Sequence, residues 1–104
     1  MKLHEIAHSR TGDKGNTSNI SVIVFNEQDY DYLREHLTAP RVKQHFAGIV
    51  SGDVVRYELP TLAALNFVLF GALGGGVTRS LALDAHGKGL SSTLLDIELP
   101  ERDE

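Results

Sequence analysis

The sequence predicts a single α+β domain in which one mixed β-sheet of four to five strands is packed by α-helices. Three observations predict it. A chain of 104 residues has room for one hydrophobic core and none for a second. Its 41% apolar and 23% charged residues are ordinary globular usage, unlike the polar, highly charged composition of disordered chains. Along the chain, segments with a two-residue apolar period alternate with segments of helical period, as when helices cover a sheet.

The elements follow in order. Residues 2–8 read as a short strand with weak alternation. In the next segment Ile20, Val22 and Val24 share one face, and Ile23 and Phe25 the other. Both faces need cover, so Ile20 to Phe25 is a central strand. Asn26 is placed to cap a helix, with Glu27 and Asp29 at the positive end of its dipole and Tyr30, Leu33 and Leu37 at helical spacing. Thr38 caps a second helix, Pro40 fits its first turn, and Ala39, Val42, Phe46 and Ile49 fall on one face. Ser51-Gly52-Asp53 ends it.

Val55, Tyr57 and Leu59 alternate with Val54, Arg56 and Glu58, giving a half-buried strand stopped by Pro60. Thr61 then caps the segment Leu62 to Leu73, which is apolar nearly all round and is expected to be a helix buried by its own core or by a partner subunit. Gly74-Gly75-Gly76 stops that helix, Val77 to Leu83 reads as a strand, and Asp84-Ala85-His86-Gly87 as a turn. The end supports a helix to about Leu94 and a closing strand after it. From Pro100 to Glu104 a frayed, solvated tail is expected.

Composition excludes several function classes. With no cysteine there is no disulfide framework, thiolate metal site or cysteine nucleophile. A net charge of −4 argues against a nucleic-acid binder, which carries a basic stripe. The Met1-Lys2-Leu3-His4-Glu5 start has no signal-peptide apolar stretch, and the longest apolar run is shorter than the roughly 20 residues that span a bilayer. A cytoplasmic protein with no membrane association is therefore expected. A chain this short gains burial by self-association, so a homo-oligomer is expected too.

Chemistry concentrates in Ser9-Arg10-Thr11-Gly12-Asp13-Lys14-Gly15-Asn16-Thr17-Ser18-Asn19, which holds no apolar side chain. As a connection between strands it is longer than the about 2–5 residues of an ordinary hairpin. Gly12 and Gly15 permit backbone geometries in which successive N–H groups converge on an anion. Arg10 and Lys14 add charge, and Thr11, Asn16 and Thr17 add neutral donors. One reading is a cradle for phosphate or carboxylate; the other is an Ω-loop bonded to its own backbone. It is not a Walker A loop, lacking Gly-Lys-Ser or Gly-Lys-Thr at the required spacing.

Gly75, Gly76 and Thr78 with Arg79 offer a second close approach to a ligand, Arg79 acting as a clamp, or else a plain helix stop with Arg79 in a surface ion pair. Asn66 lies within the apolar segment, tied to backbone or aimed at a ligand. His4-Glu5-Ile6-Ala7-His8 matches a zinc-peptidase pattern that works only on a helix. On a strand its histidines stand about 13 Å apart, so no metal is expected. His8 beside Asp13 is a candidate pair for proton transfer, or a structural one. No cofactor is called for.

Three segments carry a family resemblance: Ala7-His8-Ser9-Arg10-Thr11-Gly12-Asp13-Lys14-Gly15-Asn16; Arg56-Tyr57-Glu58-Leu59-Pro60 with Leu65-Asn66-Phe67; and Gly74-Gly75-Gly76-Val77-Thr78-Arg79-Ser80-Leu81. Together the chain resembles the C-terminal domain of the acyclic terpene utilisation protein A family, an AtuA-like ferredoxin-fold domain, from about Leu3 to Ile97. The resemblance implies a ferredoxin-like α+β fold and a setting in catabolism of branched or terpenoid acyl-CoA compounds. It supplies no defined reaction or catalytic residue. Long members carry a large N-terminal region before this domain. Two expectations follow. The chain is an accessory domain binding a small anionic or acyl-CoA ligand through Ser9 to Thr17, or a non-catalytic subunit that docks on a larger enzyme or self-associates through the 62–73 helix.

Overall fold

Burial alternates strictly along Thr17–Val24: Ser18, Ile20, Val22 and Val24 point into the core, and the residues between them are half-exposed. That pattern makes the segment the spine of a sheet. The computed structural model describes residues 1–14, 17–48, 50–71 and 93–101. In it, strand β2 (Thr17–Val24) lies between β1 (Ala7–Lys14) and β4 (Ala64–Phe70), and β3 (Val54–Leu59) lies beyond β4. All three pairings are antiparallel, so the described sheet is antiparallel throughout rather than mixed.

Because β2 and β3 both run against β4, they run parallel to each other. The chain joining them carries α1 (Tyr30–His36) and α2 (Ala39–His45). This is the split β-α-β unit of ferredoxin-like folds, and the predicted α+β class holds. Both caps stand where the sequence places them. The Asn26 side chain accepts from the Gln28 N–H at 3.0 Å and opens a 3-10 turn, Glu27–Asp29, that leads into α1. Thr38 Oγ1 accepts from the Arg41 N–H at 3.3 Å and starts α2.

Tyr30, Leu33, Leu37, Val42 and Phe46 pack on the inner face of the sheet against Ile20, Val22, Leu65, Phe67 and Leu69. Burial pushes the Tyr30 phenol above its ordinary value, and the nearby Glu58 charge adds to the shift. Arg56, opposite Phe67 in the register, reaches the C-terminal end of α1. Its Nη1 donates to the Arg34 carbonyl at 2.6 Å and the Leu37 carbonyl at 2.9 Å, while Nη2 pairs with Glu58 at 3.1 Å. Those carbonyls have no partner within the helix, so the guanidinium fastens α1 to β3.

The two ends of the chain meet. The Met1 ammonium donates to Glu98 at 2.7 Å, to the Leu99 carbonyl at 2.8 Å and to Glu101 at 2.9 Å. Leu94, Ile97 and Leu99 join the core. Among the described residues the closing strand is a single bridge, Lys2 with Glu98, and Thr93 and Leu94 are helical as expected. Pro100 accepts from the Tyr32 hydroxyl, and Glu101 from the Met1 ammonium; residues 102–104 of the expected tail lie outside the described residues.

Four further expectations give way. Residues 2–8 are not one strand: Leu3–Glu5 is a 3-10 turn and β1 begins at Ala7. The polar stretch from Ser9 is not a long loop, because Ser9 to Lys14 pair with Thr17 to Val22. The second helix stops at His45, before Ser51, and Gly48 at φ 89° turns the chain away.

The largest correction is the 62–73 helix. Pro60–Leu62 is a 3-10 turn, Ala63 takes a left-handed φ of 51°, and Ala64–Phe70 returns as β4. An inner strand needs apolar residues on both faces, so its periodicity resembles that of a buried helix. The expected Gly74–Gly76 stop, Val77–Leu83 strand and Asp84–Gly87 turn, with Ile49 and residues 90–92, lie outside the described residues.

Candidate functional site

The helices take one face of the sheet, and the described side chains of the other are exposed or half-exposed except for Ala64. The registers set this outer face in transverse rows. Arg10, Ser21, Asn66 and Tyr57 form one polar row across all four strands. Beside it, toward the β3–β4 turn, lie His8, Ile23, Ala64 and Leu59; on the other side lie Gly12, Asn19, Val68 and Val55. A strand puts every second side chain on one face, so these positions are brought together by pairing alone.

A groove of about 470 Å³ crosses the rows, lined by Arg10, Thr11, Gly12, Asn19, Ser21, Ile23, Leu59, Leu62 and Ala64. Its polar end is organised. Asn66 Nδ2 donates to Ser21 Oγ at 2.8 Å, which leaves the serine proton free to be offered elsewhere. A Cβ at Gly12 would stand 3.2 Å from Asn19 Nδ2, so glycine at this position lets the asparagine lie close over β1. The Arg10 side chain makes no ion pair or hydrogen bond among the described residues. At the other end Leu62 is 66% exposed, an apolar side chain standing in water. His8 stacks on Phe25 with ring centroids 5.4 Å apart.

The sequence-derived candidates separate on this frame. Arg10 and Gly12 are on the groove face, Thr11 touches the groove, and Ser9 is paired with the buried Val22. Thr17 is paired with Lys14 at the closed end of the hairpin. The Thr11 hydroxyl is buried and has no hydrogen-bond partner among the described residues. His8 and Asp13 occupy positions five apart on one strand, roughly 17 Å along it. Gly15, Asn16, Gly75, Gly76, Thr78 and Arg79 lie outside the described residues.

A converging amide cradle is not what Ser9 to Lys14 build. In an antiparallel ladder successive N–H groups point alternately toward and away from the partner strand. His4 and Glu5 sit in the 3-10 turn and His8 on β1, which separates the zinc-like pattern; the described residues contain no group of three metal-ligating side chains. No described helix is long and apolar enough to cross a membrane.

The model of the AtuA ferredoxin-like domain matches residues 1–100 of the chain. The chain belongs to that family. No curated protein and no solved structure matches it. As an AtuA ferredoxin-like domain it has an AtuA-related role, with terpene utilisation implied by the family's name.

Five residues of the AtuA-like groove are not among the candidates read from sequence: Ser21, Ile23, Leu59, Leu62 and Ala64. Asn19 falls inside the polar stretch, where nothing local singles it out. One signal for them exists. The alternation seen from Ile20 continues back to Thr17, which puts Asn19, Ser21 and Ile23 on one face. Nothing local pairs that face with Leu59 or Ala64.

Proposed function

We propose that this AtuA-like domain binds a small anionic molecule bearing an apolar portion, in the groove on the outer face of the sheet, within acyl-CoA or terpenoid catabolism. One observation carries the reading. Arg10 stands at one end of a groove whose polar donors, Asn19 and Ser21, give way to Ile23, Ala64, Leu59 and Leu62 at the other. Apolar walls with a few placed polar groups are the usual make-up of small-molecule sites, and volumes of roughly 300–1,000 Å³ are typical. The anchor thus passes from a backbone cradle to one guanidinium on a rigid strand.

The test is thermal unfolding of the wild type and Arg10→Gln with phosphate, CoA, acyl-CoA esters and simple carboxylates. A ligand at a hundred times its dissociation constant adds about 2.7 kcal/mol to the folded state. At least one anion is expected to raise the wild-type Tm and to leave the variant unmoved. Equal shifts in both proteins, or none in either, would end the proposal. A second reading rests on Phe25, Leu62 and Tyr57, each more than half exposed. A larger enzyme chain laid over this face would cover them, and then no small anion would protect the isolated domain.

A further inference from the structure

We infer that the groove's ligand is a monocarboxylate with an extended apolar body, its carboxylate at Arg10 and its tail crossing the sheet toward Leu62. This rests on the binding function proposed above and names the chemical class. Charge is the first argument. The chain carries 14 acidic against 10 basic residues, yet no outward-facing position in the three registers is Asp or Glu. A negative protein whose described strand positions on one face carry no carboxylate reduces the cost of bringing an anion there.

The number and shape of the donors is the second argument. Among the described residues one guanidinium lines the groove, and its planar fork matches the two oxygens of a carboxylate. Ser21 accepts from Asn66, so its own proton is available to an acceptor-only group. Asn19, one row away, adds an amide N–H. One positive charge with neutral donors balances one negative charge. The several phosphate charges of a coenzyme A ester would find a single cation in the described lining of the groove.

Length is the third argument. From β1 to β3 the groove crosses three inter-strand spacings of about 4.8 Å, roughly 14 Å in all. Beyond Ser21 the floor is Ile23, Ala64 and Leu59, with Leu62 at the turn. No polar side chain from those four positions meets the tail, so the body it accepts is hydrocarbon. A short acid such as acetate would leave that floor uncovered.

The experiment is calorimetric titration of the whole chain with acetate, hexanoate, octanoate, octanamide, octyl phosphate and octanoyl-CoA, repeated on Arg10→Gln and Arg10→Lys. Affinity should rise about fourfold per methylene from acetate to octanoate. Octanoate should bind at least tenfold tighter than octanamide. Arg10→Gln should abolish that preference, and Arg10→Lys should keep part of it by charge without the fork. If octyl phosphate or octanoyl-CoA binds tighter than octanoate and loses affinity in Arg10→Gln, the carboxylate assignment is overturned while anion binding stands. If octanoate binds both proteins equally, the tail adheres without an anchor and the assignment falls. If no probe binds, the inference and the function beneath it fail together.

Discussion

Ser21 and Asn66 face each other across β2 and β4, and replacing both by cysteine tests the pairing that builds the outer face. The Val24 N–H bonds to the Ala63 carbonyl at 3.2 Å, which assigns the even-numbered residues of β2 to the ladder with β4. Ser21 and Asn66 are then a non-hydrogen-bonded pair, with Cα atoms about 4.5 Å apart. That lies within the about 4.4–6.8 Å span of disulfides. The chain has no other cysteine, so only one link is possible within a chain, and non-reducing electrophoresis separates it from a link between chains.

The bridged positions are 45 residues apart, and closing such a loop in the unfolded chain is worth up to about 4 kcal/mol. The lost amide–hydroxyl bond costs about 1 kcal/mol in both redox states of the variant. Oxidised against reduced Ser21→Cys/Asn66→Cys should therefore differ by about 4 kcal/mol, on the order of 15 °C in Tm. The assays are peptide mass spectrometry for the link and calorimetry for the shift. Ile20→Cys with Asn66→Cys is the control, because a one-residue slip puts the thiols on opposite faces. Free thiols in the first variant under oxidant, or a ready link in the control, would refute the register and with it the groove.

Two other outcomes follow from the fastening of the elements. Arg56→Ala removes both bonds to the end of α1, and hydrogen bonds from charged groups are worth about 1.5–3 kcal/mol each when buried. Their partial exposure lowers the expected loss to about 2 kcal/mol in denaturant unfolding. Glu58→Gln, which removes only the exposed partner, should cost under about 0.5 kcal/mol. The Met1 ammonium is raised above 8.0 by its hydrogen bonds to Glu98 and then Glu101, and Glu98 is held below 4.5 by the same ammonium. The raised amine stabilises fully below pH 8.0 and loses its contribution as pH climbs through its folded value. The lowered carboxyl stabilises above pH 4.5 and loses its contribution as pH falls through its folded value. The Tm gap between wild type and Glu98→Gln should be widest between those two values and close on both sides.

Much of the helical half was legible because its signals are local. Asn26 and Thr38 each bond a backbone N–H two or three residues on, so the side chain that starts the turn is adjacent in sequence to the turn it starts. The alternation of Ile20, Val22 and Val24 likewise needs only one core to face. The Ser9 to Asn19 stretch misled because polar residues read as loop, whereas an edge strand can carry them on its solvent-facing side. Its hairpin pairing depends on a partner, β2, that is itself held by β4.

Sequence by itself determined the α+β class, the two caps and the central strand. Only the tertiary structure decided that Ala64–Phe70 is a strand, since an apolar run covered on two sides has the same periodicity in either conformation. That decision also made the groove. Arg10, Ser21 and Ala64 become neighbours through ladders that join residues far apart in the chain, and no local propensity encodes which strand lies beside which.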